Sequence, residues 1–124
     1  MKIISTDEAP KAIGPYSQGV YHHHFVFTSG QIPLNPETGE LVTGDFKAEV
    51  LQVLKNLDAV LIASNSSLKK VVKLTVFLTD LSNFPALNQV FQSFFDDPLP
   101  ARSAVQVSGL PMNARVEIEA IGAI

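Results

Sequence analysis

Arg102 is the side chain best suited by type and position to hold a small anion. It lies in Pro100-Ala101-Arg102-Ser103, directly after a proline-bounded loop and at the start of a predicted strand. A guanidinium presents a planar fork that grips a carboxylate through two parallel hydrogen bonds. Ala101, Ser103 and Ala104 are small and leave room for such a ligand. The bland alternative is an ion pair with Glu117 or Glu119, and the residues alone leave both open. Other chemistries find less support. His22-His23-His24 fall in a predicted hairpin, where successive side chains point to opposite faces, so three adjacent imidazoles do not converge on one metal ion. No G-x-S-x-G elbow and no phosphate loop occur. With no cysteine in the chain, disulfides, thiolate nucleophiles and thiolate metal sites are excluded.

The elements that must position Arg102 follow from periodicity. Gly14-Pro15 marks a turn after a polar start. Val20 to Tyr21 and Phe25 to Ser29 read as two strands joined around the histidines. Asn35-Pro36-Glu37-Thr38-Gly39 is a turn signal and Glu40-Leu41-Val42 a brief edge segment. From Asp45 the period changes: Val50, Leu54, Leu57 and Leu61 recur at helical spacing, with Asp45 where a carboxylate suits the helix dipole. Ser64-Asn65-Ser66 ends that helix. Val71 to Thr79 alternates as a strand. A second helix opens near Asn83, with Pro85 in its first turn and a core stripe of Phe84, Leu87, Phe91 and Phe94. Arg102 to Val107 and Arg115 to Ile121 are the last strands, separated by the Gly109-Leu110-Pro111 turn. The order predicts one α+β domain over residues 1–124, a mixed sheet with both helices on one face.

Period-two counting then assigns faces. Val72, Leu74, Val76 and Leu78 form an aliphatic face for the helices to cover. Lys73, Thr75, Phe77, Arg102, Ala104, Gln106, Glu117 and Glu119 are expected on the opposite face. That set is too apolar for plain solvent surface and too charged for a core. A subunit interface with a wet, charged pocket fits, and so does a solvated face with cross-strand ion pairs.

The totals narrow the class. Nine Lys plus Arg against twelve Asp plus Glu give a formal charge of −3. The one basic cluster is Lys69, Lys70 and Lys73, so a sequence-independent nucleic-acid grip is disfavoured. The N-terminus turns acidic too soon for a secretory signal, and no apolar run approaches the ~20 residues of a membrane span. The expectation is a soluble cytoplasmic protein without membrane partners, with a mitochondrial location left open.

Six collinear stretches carry a resemblance. They are Ala12-Ile13-Gly14-Pro15-Tyr16-Ser17-Gln18-Gly19, Thr28-Ser29-Gly30-Gln31-Ile32-Pro33 with Asn35-Pro36-Glu37-Thr38-Gly39, Thr75-Val76-Phe77-Leu78-Thr79-Asp80-Leu81, Pro100-Ala101-Arg102-Ser103-Ala104-Val105, and Val116-Glu117-Ile118-Glu119-Ala120-Ile121. In this order they resemble the YjgF/RidA family of reactive-intermediate deaminases, over nearly the whole chain. The resemblance implies a chorismate-mutase-like α+β sandwich and a homotrimer with sites between subunits. It implies hydrolysis of small 2-imino acids such as 2-iminobutanoate and 2-iminopropanoate to 2-keto acids and ammonia, without metal or organic cofactor. Position by position, Arg102 matches the carboxylate-binding arginine and Glu117 the glutamate that positions water. Tyr16, Ser29, Gly30 and Asn88 match residues lining the cleft. Ala104 stands where many relatives have cysteine; the family's contribution there is a backbone carbonyl, which alanine preserves. The loop Asp96-Asp97-Pro98-Leu99 is shorter than in many members. Two rivals stand beside this reading: an endoribonuclease or translation inhibitor, a label the family has carried, and a non-catalytic ligand-binding or chaperone-like module.

Overall fold

The structure, a computed structural model describing residues 1–124, contains strands Lys2–Ile4 (β1), Gly19–His22 (β2), Phe25–Thr28 (β3), Val71–Leu78 (β4), Ala101–Gln106 (β5) and Val116–Ala123 (β6), with helices Phe46–Ile62 (α1) and Phe84–Phe94 (α2). They form one six-stranded sheet in the order β1-β2-β3-β6-β4-β5. Only β4 and β5 run parallel, joined by the crossover through α2; the other pairings are antiparallel. The expected mixed sheet with two covering helices is therefore present. The polar start also contributes β1, three residues too short for alternation to mark. Glu40-Leu41-Val42 supplies only the isolated bridge Leu34–Leu41.

Local chemistry explains the helix ends. Asp45 caps α1, its Oδ1 accepting from Lys47 N–H at 3.1 Å. At the far end Asn65 takes a left-handed φ of 65°, and Ser66 N–H donates to the Leu61 carbonyl. The cap bond is worth ~1 kcal/mol. Each of Leu54, Leu57 and Leu61 is fully buried, for roughly 1.5–3 kcal/mol apiece, so the apolar stripe seats the helix. The core continues into Leu74, Val76 and Leu78 of β4 and Val116 and Ile118 of β6.

Two face assignments are corrected. Val72 is 43% exposed, because the β4–β6 register shifts between Val71 and Lys73 and Val71 takes the core position. More consequentially, β5 pairs Leu74 with Arg102, Val76 with Ala104 and Leu78 with Gln106. Directly paired residues share a face, so Arg102, Ala104 and Gln106 lie on the helix side, and Ser103 and Val105 on the open side. Val105 is 46% exposed there. Assigning the apolar residues of β5 to the helices was the error: at an edge strand beside an open face that is itself partly apolar, hydrophobicity does not say which face is covered.

Candidate active site

Arg102 reaches from the start of β5 to α2, where its Nη1 donates to Asn88 Oδ1 at 2.7 Å. The guanidinium carbon lies 5.5 Å from the Phe84 ring centroid and 5.7 Å from that of Phe91. Residues four and seven apart on α2 thus cradle the fork, two rings and one amide. Phe84 and Phe91 were expected only as core; their spacing on the stripe carries no sign that the stripe ends against an arginine. No carboxylate pairs with Arg102, since the one ion pair of the structure joins Arg115 to Glu49. The expected alternative, Arg102 with Glu117 or Glu119, is not formed. Beside the fork a cleft of about 560 Å³ opens between α2 and the 95–100 loop, with Leu74, Phe91, Phe95 and Leu99 as apolar wall and Asn88, Asp96, Asp97 and Arg102 as polar lining.

Ala104 sits two residues along the same strand. Val107 N–H donates to the Leu78 carbonyl. Backbone groups alternate sides along a strand, so the N–H and C=O of Arg102, Ala104 and Gln106 point away from β4. β5 is the sheet edge, and the Ala104 carbonyl is a free acceptor there.

The second cluster gathers around Glu117. Gly30 presses so closely on its carboxyl that a Cβ at that position would stand 2.8 Å from Cδ and 2.9 Å from Oε2. Gly30 is therefore a close-approach glycine. The next residue, Gln31, exchanges both backbone hydrogen bonds with Ile118, at 2.9 and 3.1 Å, which sets the register of loop against β6. Ser29 Oγ donates to the Ser17 carbonyl at 2.5 Å, linking this loop to the Tyr16 turn. That turn is anchored by the buried Gln18 side chain, which accepts from Thr6 N–H and donates to the Thr6 and Pro10 carbonyls. Tyr16 itself is 52% exposed. Burial, and then the charge of Glu119, hold the Glu117 carboxyl above the usual carboxylate range.

The expected residues thus divide into two half-sites. Arg102, Asn88 and Ala104 form one; Glu117, Gly30, Ser29 and the Tyr16 turn form the other. Glu117 pairs with Phe77 and Arg102 with Leu74, so the two are two strands and three residues apart, roughly 14 Å from Cα to Cα. They also occupy opposite faces of the sheet. Within one chain they cannot act on one substrate atom, which corrects the expectation that they share a face. His22–His24 form the tip of the β2–β3 hairpin, and no cluster of three metal-ligating side chains occurs.

What the arrangement can do is hold a carboxylate at one cluster and move a proton or water at the other. Comparison with known proteins shows what the whole chain is similar to. The family described as Endoribonuclease L-PSP matches residues 6–124. A 2-iminobutanoate/2-iminopropanoate deaminase of Dermatophagoides farinae is 49% identical over 120 residues, covering 97% of this chain and 94% of the other. Among solved structures, RidA of an Antarctic Psychrobacter superposes with a TM-score of 0.96 at 48% identity, covering all of both chains. Escherichia coli TdcF with bound serine gives 0.94 at 46% identity, over 100% of this chain and 99% of the other.

Proposed function

The chain belongs to the YjgF/RidA family, and from that premise we propose that it hydrolyses small 2-imino acids, 2-iminobutanoate and 2-iminopropanoate among them, to 2-keto acids and ammonia. The observation that carries this reading is the Arg102 fork, held by Asn88 between two rings and free of any acidic partner. A guanidinium held in place by an amide and two rings, with no carboxylate paired to it, is a ready receptor for one.

The reaction asks little of the protein. A protonated imine carbon is already electrophilic, so orientation supplies much of the acceleration. Arg102 binds the substrate carboxylate. Glu117 accepts a proton as water adds to C2 and returns it to nitrogen; the C–N bond then breaks, ammonia departs, and the C2 hydroxyl gives its proton to Glu117 as the keto group forms. A carboxyl held above its usual range suits both halves of that exchange. The Ala104 carbonyl accepts from the nitrogen. Ser29, Gly30 and Tyr16 shape the seat of Glu117.

Because the half-sites lie on opposite faces, each working site takes Arg102 from one copy and Glu117 from the next. The open sheet face supports this assembly: Phe25, Phe27 and Val105 are more than 40% exposed on it, and β5 has an unpaired edge. The family resemblance implies that the assembly is a homotrimer; no helix is long and apolar enough to cross a membrane.

Coupling the purified protein to a threonine dehydratase and trapping remaining imine with semicarbazide tests the proposal. Faster imine loss, abolished by Arg102→Ala, is the expected result. Unchanged imine lifetime would favour a binding module, and cleavage of a defined RNA that Arg102→Ala abolishes would favour the ribonuclease reading.

A further inference from the structure

Glu49 is the only carboxylate buried in the fold, 2% exposed in the first turn of α1. Its partner Arg115 donates from Nε to Oε1 at 3.2 Å and from Nη2 to Oε2, and lies 5.4 Å from the Phe46 ring centroid. Neither residue touches the half-sites described above. A buried ion pair is poor value as a stabiliser, because desolvation cancels much of the attraction and apolar residues of like volume do as well or better. What the bidentate fork adds is geometry.

That geometry is applied two residues before Glu117. The Arg115 carbonyl accepts from Thr79 N–H at 3.2 Å, and Ile118 is bridged to Gln31. The Arg115 side chain leaves the strand direction at this point and wraps to α1, rather than standing beside Glu117 as strand alternation would have it. The segment carrying Glu117 is thereby fixed at both ends, by α1 before it and by the Gly30–Gln31 loop after it. We infer that the Glu49–Arg115 pair is a positioning device that holds Glu117 in its seat against Gly30. This rests on the reading of Glu117 as the group that handles water.

The charged and titratable groups on the same face as Glu117 are Glu119 on β6, Lys73 on β4 and His22 on β2, with Tyr16 in the turn tied to Ser29; β5 offers only Ser103 and Val105, and β3 only Phe25 and Phe27. None of them is altered by changing Glu49 or Arg115.

Two variants test the inference: E49L/R115M, which exchanges the pair for apolar volume, and E49Q, which keeps the shape and one acceptor. The readouts are the melting temperature, kcat and KM with 2-iminobutanoate, and the titration of the Glu117 carboxyl carbon followed by NMR. The expected result is near-native melting of E49L/R115M, with kcat lowered about 10- to 100-fold and KM within about twofold, since the Arg102 half-site is untouched. The Glu117 carboxyl should titrate at lower pH as its seat loosens, more in the double variant than in E49Q. A folded variant of either kind with native kcat and native Glu117 titration would overturn the inference. The NMR titration needs no substrate, so failure of the deaminase reading leaves this test intact and separable.

Discussion

Gly30→Ala is the sharpest small perturbation of the proposed site. The backbone at Gly30 does not occupy the left-handed region, so alanine brings no conformational strain, only a methyl group. That methyl would stand 2.8 Å from Glu117 Cδ, where favourable contact begins near 3.5 Å. The carboxyl must retreat by about 0.7 Å, or its rotamer must change. Displacements approaching 1 Å cost reaction rates up to ~100-fold, or roughly 1–3 kcal/mol of transition-state stabilisation. With Arg102 and Asn88 intact, substrate binding should hold, so the loss falls on kcat and KM changes little. Steady-state hydrolysis of 2-iminobutanoate, generated in situ and trapped with semicarbazide, measures both; a melting curve checks the fold. A well-folded G30A protein with native kcat would refute the placement of Glu117 at the reacting water.

Further expectations follow from the same geometry. Arg102→Lys keeps the charge but loses the planar fork, so kcat/KM should fall at least ~100-fold with melting unchanged, as steady-state kinetics and calorimetry will show. Glu117 is held above the ordinary carboxylate range, by burial first and Glu119 second. The stability it contributes is complete below the ordinary range and lost as pH rises through the folded value. Glu117→Gln should therefore melt higher than the native protein at neutral pH, with the gap closing towards about pH 4; a gap that widens on acidification would contradict the sign. Arg115→Ala leaves the Glu49 carboxylate buried alone and should cost ~2–4 kcal/mol in denaturant titration. That is less than the 3–5 kcal/mol typical of a fully buried pair, because Arg115 is 43% exposed.

Much of this fold is legible in the sequence because its signals are local. The spacing of Val50, Leu54, Leu57 and Leu61 marks α1, and the alternation of Leu74, Val76 and Leu78 marks the covered face of β4. The side of β5 is not legible. Alternation groups Arg102 with Ala104 and Gln106, but only pairing with Leu74, Val76 and Leu78 says which way the group faces. The bulge at Val71–Lys73 is hidden for the same reason: three consecutive residues, Val71, Val72 and Lys73, do not announce which of the valines is displaced. At the site, residue type singles out Arg102 and the family resemblance adds Glu117, whereas their division between two faces, the ring cradle of Phe84 and Phe91, and the Glu49–Arg115 clamp depend on contacts between segments far apart in the chain.

The separation of Arg102 from Glu117 makes subunit mixing the most direct test. Arg102→Ala and Glu117→Gln proteins, each inactive alone, are unfolded together in equal amounts, refolded and assayed for 2-iminobutanoate hydrolysis. Random assembly gives some seams an intact Arg102 from one copy and an intact Glu117 from its neighbour, and about a quarter of native activity should return. A refolded mixture that stays as inactive as its parents would contradict a site built across two copies.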